Sequence, residues 1–462
     1  MKVGIVSLGC ANNVDIVNNI EEADIILVNT CGFIEASKKE SIDTIFEMTK
    51  YHKILIVSGC LVERYKEELI KEIPEVDLFV SIKDYPHFAD LLNEVLKTKQ
   101  FKGEISNNKR VISTQPYTAY LKISEGCNNC CTYCAIPLIR GHFRSFEEKD
   151  LLDQAKKLAS RGVKELVVIS QDTTRYGEDL KNTNIISLLT KLLEIKEFEY
   201  IRLLYLYPDE ISDELIDLIG KNPRLTPYFD VPVQHASSSV LKRMNRRGDE
   251  VFLKDLFKKI RNKVPNAILR TTLIVGFAGE TEEDFKILED FVKEVRFDHL
   301  GAFTYSPEDG TIGAKLPNQV PERIKKQRYQ KIMKLQQKIS YENNQKRIGK
   351  TSDGLIVGFD EEKNAYLVRC GFNAPDEIDG NIYCYSENEY NLGDKIYFEV
   401  VDADNYDLYG EYKEQTLLVK DNKIYINNKL YDEVLKTCNK ATSIIYKDDS
   451  FIYFKNVELN IS

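Results

Sequence analysis

The sequence predicts an α/β protein in three parts: an N-terminal parallel α/β domain, a central partial β/α barrel and a small C-terminal β-barrel. Three observations carry this expectation. The first hundred residues alternate short apolar, β-branched runs with helical patterns, as a parallel sheet covered by helices requires. From Tyr117 a longer alternation of strand and helix runs through six units, the repeat of a barrel whose site lies at the strand C-terminal ends. Beyond residue 350 the pattern changes to short β-prone segments separated by Gly, Asn and Asp, at the spacing of a small closed barrel.

In the first part (1–100), residues 2–8, 24–29 and 53–58 read as strands, and 37–50 and 63–72 as helices. Each strand ends at a cysteine: Cys10 after Ser7-Leu-Gly, Cys31 after Val28-Asn-Thr and Cys60 after Val57-Ser-Gly. Carboxyl ends of strands form the ligand crevice of an open α/β sheet, so three thiols can converge there. Each can also be read as a small buried hydrophobe. Residues 101–116 are polar, carry Gly103, Asn107, Asn108 and Pro116, and read as a linker.

The central part (117–349) has expected strands at 120–123, 165–169, 201–205, 228–233, 269–275 and 300–305. Tight motifs follow them: Gln171-Asp-Thr-Thr-Arg-Tyr-Gly177, Pro208, Gln234-His235, Gly276-Phe-Ala-Gly-Glu280 and Ser306. The charged helical stretch from 321 to 349 is expected to lead away from the barrel, with 322–328 on a solvated face. Residues 350–412 form the terminal β-module, with segments 354–358, 365–369, 381–385 and 395–401. Residues 413–462 are strand-rich and unassigned.

With 462 residues, 43% of them hydrophobic, the chain can fill about three cores. No apolar run approaches the roughly 18 residues of a membrane span. The segment from Met1 to Cys10 superficially resembles a lipoprotein signal, but its apolar core is short and reads as a first strand. Without an export signal the ten cysteines are expected in a reducing cytoplasm, where they serve metal or redox chemistry rather than disulfides.

The densest chemistry lies in Glu125-Gly-Cys-Asn-Asn-Cys-Cys-Thr-Tyr-Cys134. Cys127, Cys131 and Cys134 stand as C-x3-C-x2-C on one short loop leaving a strand. Three such thiolates can hold three irons of a 4Fe-4S cube and leave the fourth iron open. A zinc site would want a second close pair or a His-rich partner, and none lies nearby. Cys130 adjoins Cys131, and neighbours cannot easily direct two thiolates at separate corners of one cube.

Together with Tyr133-Cys-Ala-Ile-Pro-Leu-Ile-Arg-Gly141, the three strand-end cysteines and the terminal β-module, this motif resembles the radical S-adenosylmethionine methylthiotransferases over residues 1 to about 412. Asn29-Thr-Cys-Gly-Phe-Ile-Glu35, the string 171–177, Arg202-Leu-Leu-Tyr and Val231-Pro-Val-Gln-His-Ala-Ser237 are most similar to the RimO type, which modifies an aspartate of ribosomal protein S-twelve. The resemblance implies a radical-SAM barrel, a TRAM-like terminal barrel, S-adenosyl-L-methionine and two 4Fe-4S clusters. Cys127, Cys131 and Cys134 would hold the first cluster, whose open iron chelates S-adenosylmethionine for one-electron cleavage and hydrogen abstraction. Cys10, Cys31 and Cys60 would hold the second, which carries or donates sulfur that another S-adenosylmethionine methylates. Tyr133 is implied to pack on the adenine, with Gln171, Asp172, Gly276, Gly279 and Glu280 lining the cofactor; Ala278 stands where the family has proline. An electron donor such as flavodoxin or ferredoxin is a further implied partner, and the sulfur donor is left open. Residues 11–23 are shorter than the family's connection, and thirteen residues join two parallel strands without much to cover the sheet.

Other residues carry two readings each. His235 is a structural histidine or a substrate contact. Asp172 and Arg175 bind a ligand or pair with each other. Glu282 and Glu283 favour the start of the following helix. Charge separates the two substrate classes: residues 345–412 carry 6 Lys and Arg against 15 Asp and Glu, a net −9 that equals that of the whole chain. Phosphate would be repelled by such a module and a basic ribosomal protein attracted, so tRNA, the substrate of MiaB-type relatives, is not expected. A non-catalytic iron-sulfur interaction protein is the remaining alternative, distinguished by failure to cleave S-adenosylmethionine.

Overall fold

The structure, a computed structural model, describes residues 3–7, 20–98, 114–375 and 378–414, and five strands between 417 and 457. Cys10, most of the connection 11–23 and most of the linker lie outside the described residues. The chain forms two compact units, Met1–Ser340 and Tyr341–Ser462. Among the described residues no helix is long and apolar enough to cross a membrane.

In the first unit, strands β1 (Val3–Ser7), β2 (Ile25–Thr30), β3 (Ile54–Gly59) and β4 (Leu78–Val80) form a parallel sheet in sequential order. The three-residue β4 is too short to stand out as a period in the sequence. Helices α1 (Glu35–Thr49), α2 (Cys60–Glu72) and α3 (Phe88–Val95) accompany the sheet. Successive strand residues serve opposite faces: Ile26, Val28, Leu55 and Val57 join Ile45 and Leu61 in one cluster, while Ile25, Ile56 and Val80 join Leu92 in another. Burial on both faces explains why these strands read as unbroken apolar runs.

The central part contains β5 (Thr118–Lys122), β6 (Ser124–Glu125), α4 (Ile136–Arg140), β7 (Arg144–Ser145), α5 (Glu148–Ser160), β8 (Glu165–Ile169), α6 (Ile185–Leu192), β9 (Tyr200–Leu203), α7 (Asp213–Lys221), β10 (Tyr228–Asp230), α8 (Ser238–Arg243), α9 (Glu250–Lys263), β11 (Ile268–Val275), α10 (Glu282–Val295) and β12 (His299–Thr304). Parallel ladders β5-β8-β9 and β10-β11-β12 make two half-sheets. Asp230 joins them: its carbonyl accepts from Leu206 N at 2.8 Å and its carboxylate from Tyr205 N at 3.0 Å, so the six strands run on as a partial barrel. A fully buried ion pair sits between β8 and β9, with Arg202 Nε 3.0 Å from Glu165 Oε1 and the guanidinium over the Tyr228 ring at 5.0 Å.

Helix α11 (Glu322–Gln345) departs from expectation. Rather than leaving the barrel at once, it buries Ile332 and Ile339 in the barrel's core cluster. Nor are all the charges of 322–328 solvated. Lys325 and Arg328 are buried, Lys325 Nζ donating to Tyr305 O at 2.7 Å and Arg328 to Glu280 at 2.8 Å. Charge alone says nothing about whether a partner waits on the neighbouring element. At α10 the acids fall in the first turn as expected, while Thr281 and Asp284 form the capping box.

In the second unit, β13 (Thr351–Asp360), β14 (Ala365–Arg369), β15 (Ile382–Tyr385), β16 (Lys395–Ala403) and β17 (Leu408–Tyr412) close into a barrel of order β13-β14-β15-β17-β16. Ile356, Val368, Ile382, Ile396, Phe398 and Leu408 are in its core. The last strand, with Gly410 in its middle, was not legible as a separate segment. Strands β18 (Leu417–Lys420), β19 (Lys423–Ile426), β20 (Lys429–Asp432), β21 (Ala441–Lys447) and β22 (Ile452–Val457) form an antiparallel sheet of order β20-β19-β18-β22-β21.

Removing one partner of the Glu165–Arg202 pair leaves a buried charge uncompensated. Glu165→Ala is therefore expected to lower the unfolding free energy by about 3–5 kcal/mol, read from the urea transition of the first unit. A loss below about 1 kcal/mol would show the pair to be energetically idle.

Candidate active site

The cysteine loop lies between β6 and α4, at the C-terminal end of β5, and its backbone is held from several sides. Cys127 N donates to Gly141 O at 3.2 Å, and Phe143 N donates to Asn128 Oδ1 at 3.0 Å. Thr132 is bonded three times: its N to Met244 O at 3.0 Å, its hydroxyl to Arg243 O at 2.7 Å, and its carbonyl to Gly313 N at 2.7 Å. Asn245 Nδ2 donates to Cys130 O at 3.0 Å. Cys130 is exposed and in the left-handed region at φ 49°, whereas Cys127, Cys131 and Cys134 are partly buried. Burial pushes the Cys127 thiol up to about 11 and the Cys134 thiol up to about 12. A bound cation would be needed to make these groups thiolates at neutral pH.

Behind Cys131 stands Arg246. Its guanidinium is 3.8 Å from Cys131 Sγ, donates to Tyr133 Oη at 3.2 Å and Pro232 O at 2.7 Å, and lies 4.3 Å over the Tyr207 ring. Tyr207 Oη is itself 3.7 Å from Cys131 Sγ. Tyr133 packs against Val240, Met244, Phe277 and Tyr305. A cavity of about 350 Å³ opens here, lined in part by Asn129, Cys130, Arg175, Tyr207 and Arg246.

The loops after β8 and β11 complete the mouth. Asp172 is buried and occupied: it accepts from Asn129 Nδ2 at 2.7 Å and Thr174 Oγ1 at 2.6 Å and pairs with Arg175 at 3.2 Å. Burial raises its pKa, against the pull of Thr174, Asn129 and Arg175. Gln171 Oε1, by contrast, is buried without a hydrogen-bond partner. Gly276 and Gly279 both have positive φ, and the space a Cβ would fill is taken by Lys325 at the first and Arg243 at the second. Glu280 accepts from Gly276 N at 2.6 Å, Phe277 N at 3.2 Å and Arg328 at 2.8 Å. Its side chain thus ties the turn together from inside, and burial lifts it to about 7. His235, also fully buried, accepts from Ser237 N through Nδ1 at 3.0 Å and faces Glu280 through Nε2 at 3.6 Å.

A second pair of thiols approaches from the N-terminal domain. Cys31 follows β2 and Cys60 begins α2, and Gly32 lets the two segments touch: a Cβ there would stand 2.7 Å from the Leu61 backbone. Ser41 clamps Cys31 by accepting from its N–H and donating to its carbonyl, at 3.0 and 2.9 Å. Arg140, at the end of the helix that follows Cys134, donates to Cys60 Sγ at 3.3 Å and pairs with Glu125 at 3.5 Å, linking the two groups of thiols. Buried Glu308, after β12, accepts from Glu35 N at 3.0 Å and pairs with Lys38 at 3.2 Å and Arg64 at 3.4 Å. Among the described residues no three or more His, Cys, Asp or Glu side chains are grouped so as to hold a single metal ion.

Three family profiles match the chain: the Radical SAM superfamily at residues 121–292, the Uncharacterized protein family UPF0004 at 4–81 and the TRAM domain at 348–412. A ribosomal protein uS12 methylthiotransferase RimO from Alkaliphilus oremlandii is 46% identical over 433 residues, 89% of this chain and 99% of the relative. One of the same description from Aquifex aeolicus is 45% identical over 436 residues, 91% and 99% of the two chains. The chain belongs to the RimO family of radical S-adenosylmethionine methylthiotransferases. Among solved structures it is similar to TsrM, a radical S-adenosylmethionine methyltransferase from Kitasatospora setae, at 12% identity and TM-score 0.46, over 61% of this chain and 62% of that one.

Membership of this family brings S-adenosylmethionine and a 4Fe-4S cluster, and the barrel mouth fits them. It offers three thiols on an anchored loop, an apolar wall at Tyr133 and Phe277, and an unsatisfied buried acceptor at Gln171. Several residues at this mouth were not singled out by the sequence: Thr132, Tyr207, Arg246 and Glu308. Asn129, Asn245 and Ser41 also gave no signal, because their partners are supplied by other elements.

The buried His235 sets a pH dependence. Burial lowers its pKa from 6.5 to about 3, so the folded chain binds fewer protons than the unfolded one between those values. The stability it contributes is fully present above about 6.5 and falls as pH drops toward 3, by up to about 1.4 kcal/mol per unit. Glu280 acts oppositely between 4.5 and about 7. Comparing thermal unfolding of wild type and His235→Gln from pH 7.5 to 4 isolates the histidine, and the wild-type curve should fall more steeply below pH 6.5. Parallel curves would show that burial does not shift the His235 pKa.

Proposed function

We propose that this chain methylthiolates the β-carbon of an aspartate in ribosomal protein uS12, using S-adenosylmethionine and two 4Fe-4S clusters. The observation that carries this reading is the convergence on one barrel mouth of the Cys127, Cys131, Cys134 loop and the Cys31, Cys60 pair, joined through Arg140. Cys127, Cys131 and Cys134 hold the cluster that binds S-adenosylmethionine; Cys31 and Cys60, with Cys10, hold the other. When bound, these groups supply hydrogen abstraction and sulfur, and the chain supplies position. Tyr133 offers its ring as a stacking face, Gln171 Oε1 accepts a hydrogen bond from the cofactor, and the turn shaped by Gly276 and Gly279 borders it. Asp172 and Glu280 act one step back, through the loops they hold. The electrons come from a low-potential donor such as flavodoxin or ferredoxin, and the setting is the cytoplasm.

The second unit supports a basic protein as partner. Its barrel is acidic and exposes Phe359, Tyr385 and Tyr412, with Phe359, Tyr366 and Tyr390 in successive edge contacts at 5.1 and 5.3 Å. Aromatic faces in a negative field attract Arg and Lys. Lys363 already lies 3.6 Å over Tyr383. Phosphate finds few cations here.

Anaerobically reconstituted protein is expected to hold about eight irons, and a Cys10, Cys31, Cys60 triple alanine variant about half. Retention of all the iron by that variant would remove the second site. Cys130→Ala should leave the iron content unchanged.

Offered a uS12 peptide and tRNA together, the reconstituted enzyme should add to the peptide the mass of a methylthio group replacing hydrogen. Modified tRNA beside an unmodified peptide would overturn the substrate assignment.

A further inference from the structure

A buried charge raises the free energy of a fold by several kcal/mol unless something opposite in sign lies against it. Arg246 is 8% exposed, yet among the described residues no Asp or Glu pairs with it. Its contacts are the Pro232 carbonyl, the Tyr133 hydroxyl, the Tyr207 ring and the Cys131 sulfur, all neutral while Cys131 is a thiol. The arginines around it differ. Arg175 has Asp172, Glu178 and Glu210; Arg243 has Asp284; Arg247 has Asp209; Arg328 has Glu280. One buried cation at the mouth therefore lacks a counter-ion among the described residues.

We propose that Arg246 is the counter-ion of the cluster at Cys127, Cys131 and Cys134 and sets its reduction potential, an inference that rests on the reading of those thiols given above. A cluster held through Cys131 would bring negative charge beside the guanidinium, 3.8 Å from that sulfur, and so complete the pair. An oxidised cube held by three thiolates would carry net negative charge, and one electron from a low-potential donor would deepen it. A fixed cation beside Cys131, stacked on the Tyr207 ring and bonded to the Tyr133 hydroxyl, favours the more negative state. Arg246 thus stabilises the electron-loaded cube, the form that reduces the sulfonium of S-adenosylmethionine. Arginine suits the position because its planar head can stack on Tyr207 while donating in two in-plane directions, and because it does not deprotonate.

The test uses the full chain carrying Cys31→Ala and Cys60→Ala, so that a single cluster is read, with Arg246 intact, Arg246→Met or Arg246→Lys. Two quantities are measured: the midpoint potential, by titration with dithionite followed by electron paramagnetic resonance, and the thermal unfolding of the iron-free protein. Arg246→Met should lower the potential by about 59 mV or more, a tenfold drop in the reduced-to-oxidised ratio for one electron. Its iron-free form should unfold at the same or a higher temperature than the parent, because an unpaired buried charge is gone. Arg246→Lys keeps the charge and should fall between, which carries the test if the methionine variant does not fold. An unchanged potential in variants that bind the cluster, with iron-free protein that melts earlier, would make Arg246 a structural peg and overturn the proposal. Failure of the parent to take up any cluster would overturn the reading of the thiols instead.

Discussion

The site depends on holding one nine-residue stretch, from Gly126 to Cys134, in place before anything binds to it. Three side chains on a short loop have no reason to share a direction, and the loop has no regular structure to impose one. Thr132 solves this from the backbone. By giving its N–H and hydroxyl to the end of α8 and taking the N–H of Gly313, it ties the middle of the loop to two separate parts of the barrel. Asn129 adds a third tie, through Asp172 to Arg175. The strands' role is to bring these distant anchors to one mouth.

The same economy runs through the loops that do not carry thiols. Glu280 spends its carboxylate on two N–H groups of its own turn and on Arg328, and so braces that turn from inside. Lys325 and Arg243 occupy the space left by Gly276 and Gly279, which means that these glycines are required by the protein's own packing. Substituting either would disturb the mouth through its own packing.

How much of this was legible follows from the distance between partners in sequence. The C-x3-C-x2-C spacing is local, and so were the apolar runs of the six barrel strands, which the structure places within a few residues of their expected ends. Thr132 and Met244 stand more than a hundred residues apart, as do Cys131 and Arg246, and no period links them. The misreading of 322–328 has the same origin, since a lysine bonded to Tyr305 and a lysine in water look alike in sequence. Strand β4 escaped notice because it has three residues, and β17 because Gly410 interrupts its pattern, although Gly410 is there to admit the Phe398 ring.

The join between the N-terminal domain and the barrel has a character of its own. Each side closes its apolar core without the other, the sheet residues in two clusters and the barrel residues in a third. What crosses between them at Glu308 is charge and hydrogen bonding: Glu35 N, Lys38 and Arg64 on one side, the 306–309 loop on the other, with Tyr65 reaching Asp309 at 3.0 Å. Separating such a seam exposes groups that water welcomes, unlike the parting of two greasy faces. At this seam the domain that brings Cys31 and Cys60 is fastened by a latch of charge and hydrogen bonds rather than by a shared greasy core, so its hold is weakened by salt more than by a change of apolar packing.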